Sequence, residues 1–251
     1  MHILLTNDDG IRAEGILQLA KLAVEKGHRV TICAPDSEKS ACSHSINIVK
    51  PLHARESQLF GMRAIAVDGT PTDCARLGVF LLRDDKPDIC ISGINKGSNL
   101  GGACVYSGTV GAAMEASMAG CPAIAASLRS FTQKDYTAAA EITLRVAEWA
   151  LKHPLRRGEI YNLNVPALPL DKIKGIKSTQ ALAPVYLTEA RYESYKSEYG
   201  HTYYFLCDGA ESAPYPENSD DVLNENGWAT VSALTWDTAV KRDVDEVDLT
   251  I

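Results

Sequence analysis

The stretch HILLTNDDG, residues 2–10, decides the fold class of this chain. It begins as a short apolar run, which is typical of a buried strand, and it ends in a turn that carries Asp8 and Asp9. Residues 15–26 then place apolar side chains at helical spacing, and residues 29–34 (RVTICA) are the next apolar run. A strand, a helix and a second strand in this order predict an α/β fold with a Rossmann-like, doubly wound, mostly parallel sheet.

The same alternation continues to about residue 155. Apolar runs predict buried strands, and longer stretches with an apolar stripe predict helices. Two more β-like runs after the second strand are either an inserted hairpin or further strands of the main sheet. The predicted strands are residues 88–92 and 123–127, the helices are residues 70–82, 109–119 and 136–152, and the two β-like runs are residues 46–52 and 62–67.

The character of the chain changes after residue 155, where strand-like runs alternate with polar segments. We therefore predict a Rossmann-like catalytic core at residues 1–155 and a β-rich C-terminal extension at residues 156–251 that completes the domain. The predicted strands of the extension are residues 160–165, 203–206 and 228–234.

Residues 187–205 of this extension are rich in tyrosine and charge. Aromatic rings that carry hydroxyl groups suit a protein interface, where the ring is buried and the hydroxyl keeps a hydrogen bond. We predict that this segment is a projecting hairpin arm used for oligomerisation. The alternative is a surface hairpin that folds back onto a monomer.

Composition limits the function classes. The 251 residues are 45% hydrophobic and 23% charged, as in an ordinary globular protein, and the formal net charge is -7. A sequence-independent grip on nucleic acid needs a clustered basic surface, so no nucleic-acid partner is expected. Seven cysteines without a C-x-x-C pair are typical of reduced thiols in a reducing compartment. Without a signal peptide or an apolar run of about 20 residues, we expect a cytoplasmic protein that makes no membrane contact.

Asp8 and Asp9 follow the first strand, at the edge of the sheet where doubly wound proteins bind ligands. A dinucleotide-binding protein would carry a glycine-rich G-x-G-x-x-G loop there, which this chain lacks. Two carboxylates instead suit a hard cation such as Mg²⁺ or Mn²⁺, which binds oxygen ligands together with substrate phosphate. The alternative is an acidic helix N-terminus without a metal, since the helix dipole favours aspartate there.

Polar groups follow other strands as well. Residues 37–45 (SEKSACSHS) come after the second strand, and Asn95 follows the strand at residues 88–92, so that its amide oxygen could add a neutral ligand. Residues 107–109 (SGT) lead into a helix of small residues. Hydroxyl groups and free backbone N–H groups at a helix start bind anions, although a serine there can also serve as a simple N-cap.

The ordered set of motifs resembles the survival protein SurE family of metal-dependent nucleotidases. The matching segments cover about the first 130 residues, in the order of the family, with a weaker match at YNLNVP. One departure lies at residues 39–41, where the family has R-S-G and this chain has K-S-A. The stronger segments are ILLTNDDG, APDSEKSACSHSI, DGTPTDCARLG, PDICISGINKGSNLG and YSGTVGAAMEA.

The resemblance implies one divalent metal ion per subunit, Mg²⁺ or Mn²⁺, and a homodimer or homotetramer. The implied reaction is hydrolysis of nucleoside monophosphates by a 5'-nucleotidase, with 3'-nucleotidase and exopolyphosphatase activity as further options. Water or an aspartate could be the nucleophile, and a non-catalytic metal- or nucleotide-binding module is the alternative function. The implied metal ligands are Asp8, Asp9, Ser40 and Asn95, with Asp8 and Asp9 also as catalytic residues, and the implied phosphate contacts are Asn99, Ser107, Gly108 and Thr109.

Overall fold

A computed structural model of the chain describes residues 1–179, 191–207 and 215–237. In these residues a nine-stranded mixed sheet has the order β3-β4-β2-β1-β5-β6-β7-β11-β8, and β9 and β10 form a separate hairpin. The strands are β1 His2–Thr6, β2 Arg29–Pro35, β3 His53–Leu59, β4 Met62–Asp68, β5 Ile89–Lys96, β6 Ala123–Arg129, β7 Glu159–Pro166, β8 Ile176–Ser178, β9 Arg191–Lys196, β10 Thr202–Cys207 and β11 Ala229–Thr235. The helices are α1 Glu14–Glu25, α2 Pro71–Leu81, α3 Gly108–Met118, α4 Thr137–Lys152 and α5 Asp220–Glu225, with short 3-10 helices at Gly101–Tyr106 and Leu170–Lys172.

The central strands are parallel, and helices cover both faces of the sheet. Strand β1 lies between β2 and β5, and all three run in the same direction. Successive side chains of a strand point to opposite faces, so Ile3 and Leu5 pack with α1 and α4 while Leu4 packs with α2 and α3. The predicted fold class, an α/β fold with a mostly parallel sheet, is confirmed by this architecture.

The centre of the sheet places two strand ends side by side. Strand β5 lies directly beside β1, with Thr6 opposite Ser92 at the end of the ladder. The carboxyl ends of both strands therefore reach the same edge of the sheet, which brings the segments after residue 6 and after residue 92 together. No helix among the described residues is both long enough and apolar enough to cross a bilayer.

One predicted strand is wrong. Residues 46–52 are irregular, and the strand that pairs with β4 is β3, whose sequence HARESQL is polar. The exposed side chains of Ile48 and Val49 explain the error, because β-branched residues raise strand propensity without being buried in a sheet here. For residues 62–67 the second alternative holds, because β4 is a further strand of the main sheet beside β2, and β3 pairs antiparallel with it at the edge of the same sheet.

The extension contributes to the same sheet. Strands β7 and β11 are antiparallel neighbours, and β7 is parallel to β6. The predicted boundary at residue 155 stays a prediction. The arm predicted at residues 187–205 forms an antiparallel hairpin of β9 and β10 whose side chains are almost all exposed, while residues 187–190 lie outside the described part of the chain.

Candidate active site at the carboxyl edge of the sheet

Asp8 is a buried carboxylate at the end of β1. Its side chain lies against the start of α3, where the Thr109 hydroxyl donates a 2.6 Å hydrogen bond to Oδ1. Only 6% of the residue is exposed. Burial raises the pKa of Asp8 to about 6, although hydrogen bonds from Thr109 favour the charged form and the negative charge of Asp9 disfavours it. The site therefore holds a carboxylate that would gain from a nearby positive charge.

Asp9 faces the end of β5. The backbone N–H of Lys96 donates a 2.9 Å hydrogen bond to its Oδ2. Burial raises the pKa of Asp9, while the hydrogen bond and the charge of Lys96 oppose that rise. Neither Asp8 nor Asp9 forms an ion pair with a basic side chain within residues 1–179, 191–207 and 215–237. Each of these hydrogen bonds, from the Thr109 hydroxyl and from the N–H of Lys96, engages one oxygen of its carboxylate.

The loop after β2 brings Ser40 to the same corner. The backbone N–H of Lys39 donates a 2.7 Å hydrogen bond to the carbonyl oxygen of Asp8, which ties the loop to the turn that carries both carboxylates. The Ser40 hydroxyl donates to Glu38 at 2.8 Å, so its oxygen lone pairs can still accept or ligate. Ala41, in the position of the family glycine, adopts a left-handed φ of 54°. Ala41 thus adopts a backbone conformation that glycine reaches without strain.

Asn95 reaches the site through an irregularity in β5. The pairing with β6 shifts by one residue between Ser92 and Asn95, which is a β-bulge that changes the direction of the following side chains. Gly93 permits the shift, because it has a φ of +139° and a Cβ atom there would lie 2.3 Å from the carbonyl oxygen of Ala126. The Asn95 Nδ2 donates to Gly97 at 2.8 Å, which leaves the amide oxygen to face a ligand.

The start of α3 forms the opposite wall. Ser107 is the N-cap, and its hydroxyl accepts a 3.1 Å hydrogen bond from the N–H of Val110. Gly108 packs so tightly that a Cβ atom there would lie 2.8 Å from Cys42 Sγ and 3.1 Å from Asp8 Cβ. The N-terminal end of the helix and its backbone N–H groups therefore lie directly beside the carboxylate turn, where the helix dipole favours an anion.

The loop after β5 is anchored by residues that the sequence argument does not single out. The backbone carbonyl of Asn99 accepts hydrogen bonds from Asn162 and Asn164 at 2.8 and 3.0 Å, and its N–H donates to Asn164 at 2.8 Å. The Asp220 carboxylate accepts from the N–H of Gly101 at 2.8 Å. The sequence signal that could have indicated this anchor is the pair Asn162 and Asn164. They occupy alternate positions of the buried strand β7 and therefore share one face of the sheet.

Asn99 is therefore placed differently from the other predicted contacts. Its side chain is buried, and Nδ2 donates to the Ser127 hydroxyl at 2.9 Å. Asn99, which the resemblance assigns to phosphate binding, thus uses one N–H of its side-chain amide to bind a residue of β6. The structure brings Asp8, Ser107, Gly108 and Thr109 together by direct contacts, and the backbone of residues 39 and 96 places Ser40, Asp9 and Asn95 around them.

Glu115 clamps the Ser40 loop onto α3 and was also missed. It is 3% exposed, and its two oxygens lie 2.9 Å from His44 Nε2 and 2.5 Å from Arg76. The hydrogen bond to His44 is the main reason why the pKa of Glu115 lies below its usual range, and the charge of Arg76 acts in the same direction. Gly111 fits beneath the loop, because a Cβ there would lie 2.6 Å from the Ser43 carbonyl oxygen.

The residues at this corner fit a hard divalent cation. Two carboxylates, a hydroxyl and an amide oxygen are the donors that Mg²⁺ and Mn²⁺ prefer. The buried Oδ1 of Asn7, beside this corner, has no hydrogen-bond partner within the described residues. In that part of the chain no group of three or more His, Cys, Asp or Glu side chains is placed to hold a metal, so a metal here would rely on two charged ligands and keep room for phosphate or water.

A cavity of about 390 Å³ begins beside the N-cap of α3. Ser107 lines one end, while His44 and Val105 line it further out with Met114 and Trp236. Most of its walls are apolar, as in many small-molecule sites that use a few polar groups to fix orientation. A ligand whose charged end lies at α3 could therefore place an apolar part in this cavity.

The fold and the candidate site together define a class of protein. The chain is a doubly wound α/β protein in which paired carboxylates lie beside a helix N-terminus at the carboxyl edge of the sheet, the edge where proteins of this fold bind ligands. It belongs to the survival protein SurE family, because the family model described as "Survival protein SurE" matches residues 3–187. The family resemblance stated from the motifs is thereby confirmed.

Relatives agree over most of the chain. A protein named 5'-nucleotidase SurE from Carboxydothermus hydrogenoformans is 44% identical over 226 residues, which are 88% of this chain and 84% of that protein. One of the same name from Desulfitobacterium hafniense is 41% identical over 236 residues, 93% of this chain and 90% of that protein. A crystal structure of the SurE protein from Aquifex aeolicus is similar with a TM-score of 0.80 and 32% identity, over 95% of both chains.

Proposed function

We propose that this protein is a metal-dependent phosphomonoesterase that hydrolyses nucleoside 5'-monophosphates to nucleoside and phosphate. The observation that carries the proposal is the pair of carboxylates beside the N-terminus of α3, formed by the buried Asp8 and the partly buried Asp9. Carboxylates alone repel phosphate, whereas a helix N-terminus attracts it. A site that combines both suits a cation and a phosphate together, and the names of the relatives supply the nucleotidase activity.

The chain's own groups divide the work. Asp8, Asp9, Ser40 and Asn95 would hold the cation, which when bound supplies Lewis acidity and an activated water. Ser107 would hold a phosphate oxygen through its hydroxyl, and Gly108 and Thr109 through their backbone N–H groups, because the Thr109 hydroxyl already donates to Asp8. The same donors would stabilise the charge that develops during P–O cleavage.

Contacts behind these groups fix their geometry. Thr109 orients Asp8, and the N–H of Lys96 orients Asp9, so each carboxylate presents one defined oxygen to the site. The nucleoside then occupies the cavity that begins at Ser107, where the apolar side chains of Val105 and Met114 exclude water from the ribose and base.

A phosphate-release assay tests this function. The purified protein should release phosphate from 5'-AMP when Mg²⁺ or Mn²⁺ is present and should stop when a chelator is added, with activity restored by excess metal. 3'-AMP and a polyphosphate in parallel reactions define the substrate range. Metal binding measured by calorimetry, without substrate, gives a second readout. Full activity after exhaustive chelation would refute the metal dependence, and an absence of phosphate release from every nucleotide would refute the hydrolase.

Assembly and location complete the proposal. We propose a homodimer or homotetramer in the cytoplasm, in which the hairpin of β9 and β10 contacts a second subunit. The support is its exposed aromatic side chains, among them Tyr192, Tyr195, Tyr203 and Phe205. The thiols of Cys33, Cys74, Cys90 and Cys121 are free and buried, as suits a reducing compartment.

The oligomeric state provides the test of the arm. Replacing residues 191–201 by a short glycine bridge should lower the mass in solution while leaving metal binding intact, because the site lies in the main sheet. A four-residue substitution of Tyr192, Tyr195, Tyr203 and Phe205 by serine is the matched variant that keeps the chain length. Light scattering that gives a monomer for the intact protein at micromolar concentration would contradict the proposal.

A further inference from the structure

The amino-terminal edge of the sheet, opposite the candidate active site, carries a second cavity. It has a volume of about 440 Å³ and lies between the end of α2, the segment before β5 and the turn between α3 and β6. Helix α3 separates it from the carboxylates, since its 11 residues extend for about 16 Å at ~1.5 Å per residue. Its lining includes four basic side chains, Arg76, Arg83, Lys86 and Arg157, which define the basic cavity.

The charge of this cavity is not neutralised by its own lining. Among the described residues no carboxylate lines it, in a chain whose formal net charge is -7. Arg76 is paired with the buried Glu115, and Arg83 lies 3.8 Å from the highly exposed Asp84, a distance and exposure at which an ion pair contributes little. Within the described residues neither Lys86 nor Arg157 has a carboxylate oxygen within 4.0 Å.

The nearby acidic residues are occupied elsewhere. Asp85 pairs with Arg29 at 2.6 Å, and Asp88 accepts a 2.6 Å hydrogen bond from the backbone N–H of His2. Hydrogen bonds to the ends of helices use only part of the donor capacity of the arginines. Arg83 donates one N–H to the Phe80 carbonyl, and Arg157 donates its Nε–H to the Met118 carbonyl. A guanidinium has five N–H donors. Most donors of Arg83 and Arg157 therefore take no part in these two hydrogen bonds, and Lys86 takes part in neither.

The cavity also has an aromatic wall. Phe80 is 57% exposed, and the Arg83 guanidinium lies 4.6 Å above its ring. Arginine forks match phosphate oxygens two at a time and lysine adds a compact charge. An exposed ring beside them offers a stacking face for a base.

We propose that the basic cavity is a second binding site, separate from the hydrolytic site, for a small anion with several phosphate charges, such as pyrophosphate or the polyphosphate chain of a nucleoside triphosphate. Its volume lies in the range of small-molecule sites, roughly 300–1,000 Å³. Two or more charged phosphoryl groups can engage Arg83, Lys86 and Arg157 together, whereas a single phosphate would engage fewer of them. The proposal does not depend on the hydrolytic activity.

Calorimetry with the full-length protein tests it, with chelator present so that no metal supports hydrolysis or binding at the carboxylate site. The wild type should bind pyrophosphate, and Arg83→Ala with Lys86→Ala should weaken that binding by at least about tenfold. Lys172→Ala with Lys174→Ala removes the same charge from a distant surface and should leave it unchanged. ATP and orthophosphate in separate titrations decide whether the base and the additional phosphates add affinity.

The hydrolytic site is separated by its own variant. Ser107→Ala with Thr109→Ala should spare pyrophosphate binding at the basic cavity. Metal-dependent 5'-AMP hydrolysis without pyrophosphate should be unchanged in Arg83→Ala with Lys86→Ala. An absence of pyrophosphate binding by the wild type at millimolar concentration, equal affinity in the Arg83 and Lys86 variant, or complete loss of binding in the Ser107 and Thr109 variant would overturn the proposal. A protein without nucleotidase activity would still give a result here.

Discussion

The two edges of the central sheet carry charged side chains of opposite sign, and in both cases a charged side chain lies at one end of helix α3. At the carboxyl edge, Asp8 lies against the N-terminus of α3, and at the amino edge, Arg157 donates to the carbonyl of Met118 at the C-terminus of the same helix. Each charge thus complements the helix dipole. The difference is burial: Asp8 is enclosed, whereas the arginines of the amino edge are exposed. This difference in burial agrees with the two proposals, which assign hydrolysis to the enclosed edge and anion binding to the exposed one.

The largest expected effect is the loss of hydrolytic activity on changing the carboxyl edge by Asp8→Asn or Asp9→Asn. Each change removes a charged ligand, so activity should fall by more than the roughly 10–100-fold that loss of an outer partner costs. Asp8→Asn should not destabilise the protein, because burial already raises the pKa of Asp8 and disfavours its charge. Phosphate release and thermal unfolding measure the two effects, with the exposed Asp84→Asn as control. Near-wild-type activity in both variants would end the assignment of this edge to catalysis.

Removing both hydroxyls at the start of α3 should have the next largest effect. Ser107→Ala with Thr109→Ala should weaken phosphate and vanadate binding by about tenfold while metal affinity changes less, because backbone N–H groups remain. Loss of the N-cap also costs about 0.5–2 kcal/mol of stability. Ser219→Ala removes an equivalent N-cap from α5 and serves as the control. Unchanged phosphate affinity, measured by calorimetry, would reduce the role of these residues to helix capping.

Glu115→Gln tests whether the contacts of Glu115 with His44 and Arg76, which hold the Ser40 loop onto α3, depend on charge. Near neutral pH the substitution should cost about 1–3 kcal/mol of unfolding free energy, since it weakens a buried, charged hydrogen-bond pair. The folded-state pKa of Glu115 lies below its usual range, so this difference should persist above the ordinary glutamate pKa of about 4.3. It should disappear as the pH falls through the lowered folded-state value.

Urea denaturation in a series of buffers measures this pH dependence. Glu141→Gln is the matched control, because Glu141 pairs with Lys26 at the surface and should contribute less than about 1 kcal/mol. Equal effects of the two substitutions would mean that the clamp is no stronger than a surface pair. A reduced metal affinity in Glu115→Gln, with the secondary structure intact, would show that the clamp positions Ser40.

The smallest effect is expected at the turn beside Ser40. Ala41 has a left-handed φ of 54°, which costs a residue with a side chain about 1–2 kcal/mol. Ala41→Gly should relieve that strain and raise the unfolding free energy by about 0.5–1 kcal/mol after the larger chain entropy of glycine is included. Ala54→Gly, in the exposed strand β3, should lower it instead. Destabilisation by both substitutions would contradict the strained turn.

Much of the fold was predictable because its elements are defined locally. Helix α2 begins at Pro71 behind the N-cap Thr70, with Asp73 completing a capping box, and the sequence predicts a helix at residues 70–82. Strand β1 and the first half of β5 are mainly apolar and buried, as central parallel strands should be. By contrast, β3 is polar and exposed and β8 has three residues, so both depend on neighbouring strands rather than on their own composition.

The candidate site was predictable only where its residues follow strands. Asp8 and Asn95 come at the ends of β1 and β5, and the topology brings such ends together. The roles of Glu115 and Asp220 were not predictable, because their partners are 71 and 119 positions away along the chain. Contacts over such separations are made by tertiary packing, which leaves no short motif in the sequence.

The hydrogen bond between Gly101 and Asp220 has a consequence for the time course of synthesis. A ribosome that adds ~5–20 residues per second needs about 6–24 s to proceed from one partner to the other. All the proposed metal ligands leave the ribosome before Asp220, the group that anchors the loop beside them. A nascent chain therefore carries the carboxylates of its site for that interval before the anchor of the neighbouring loop is made.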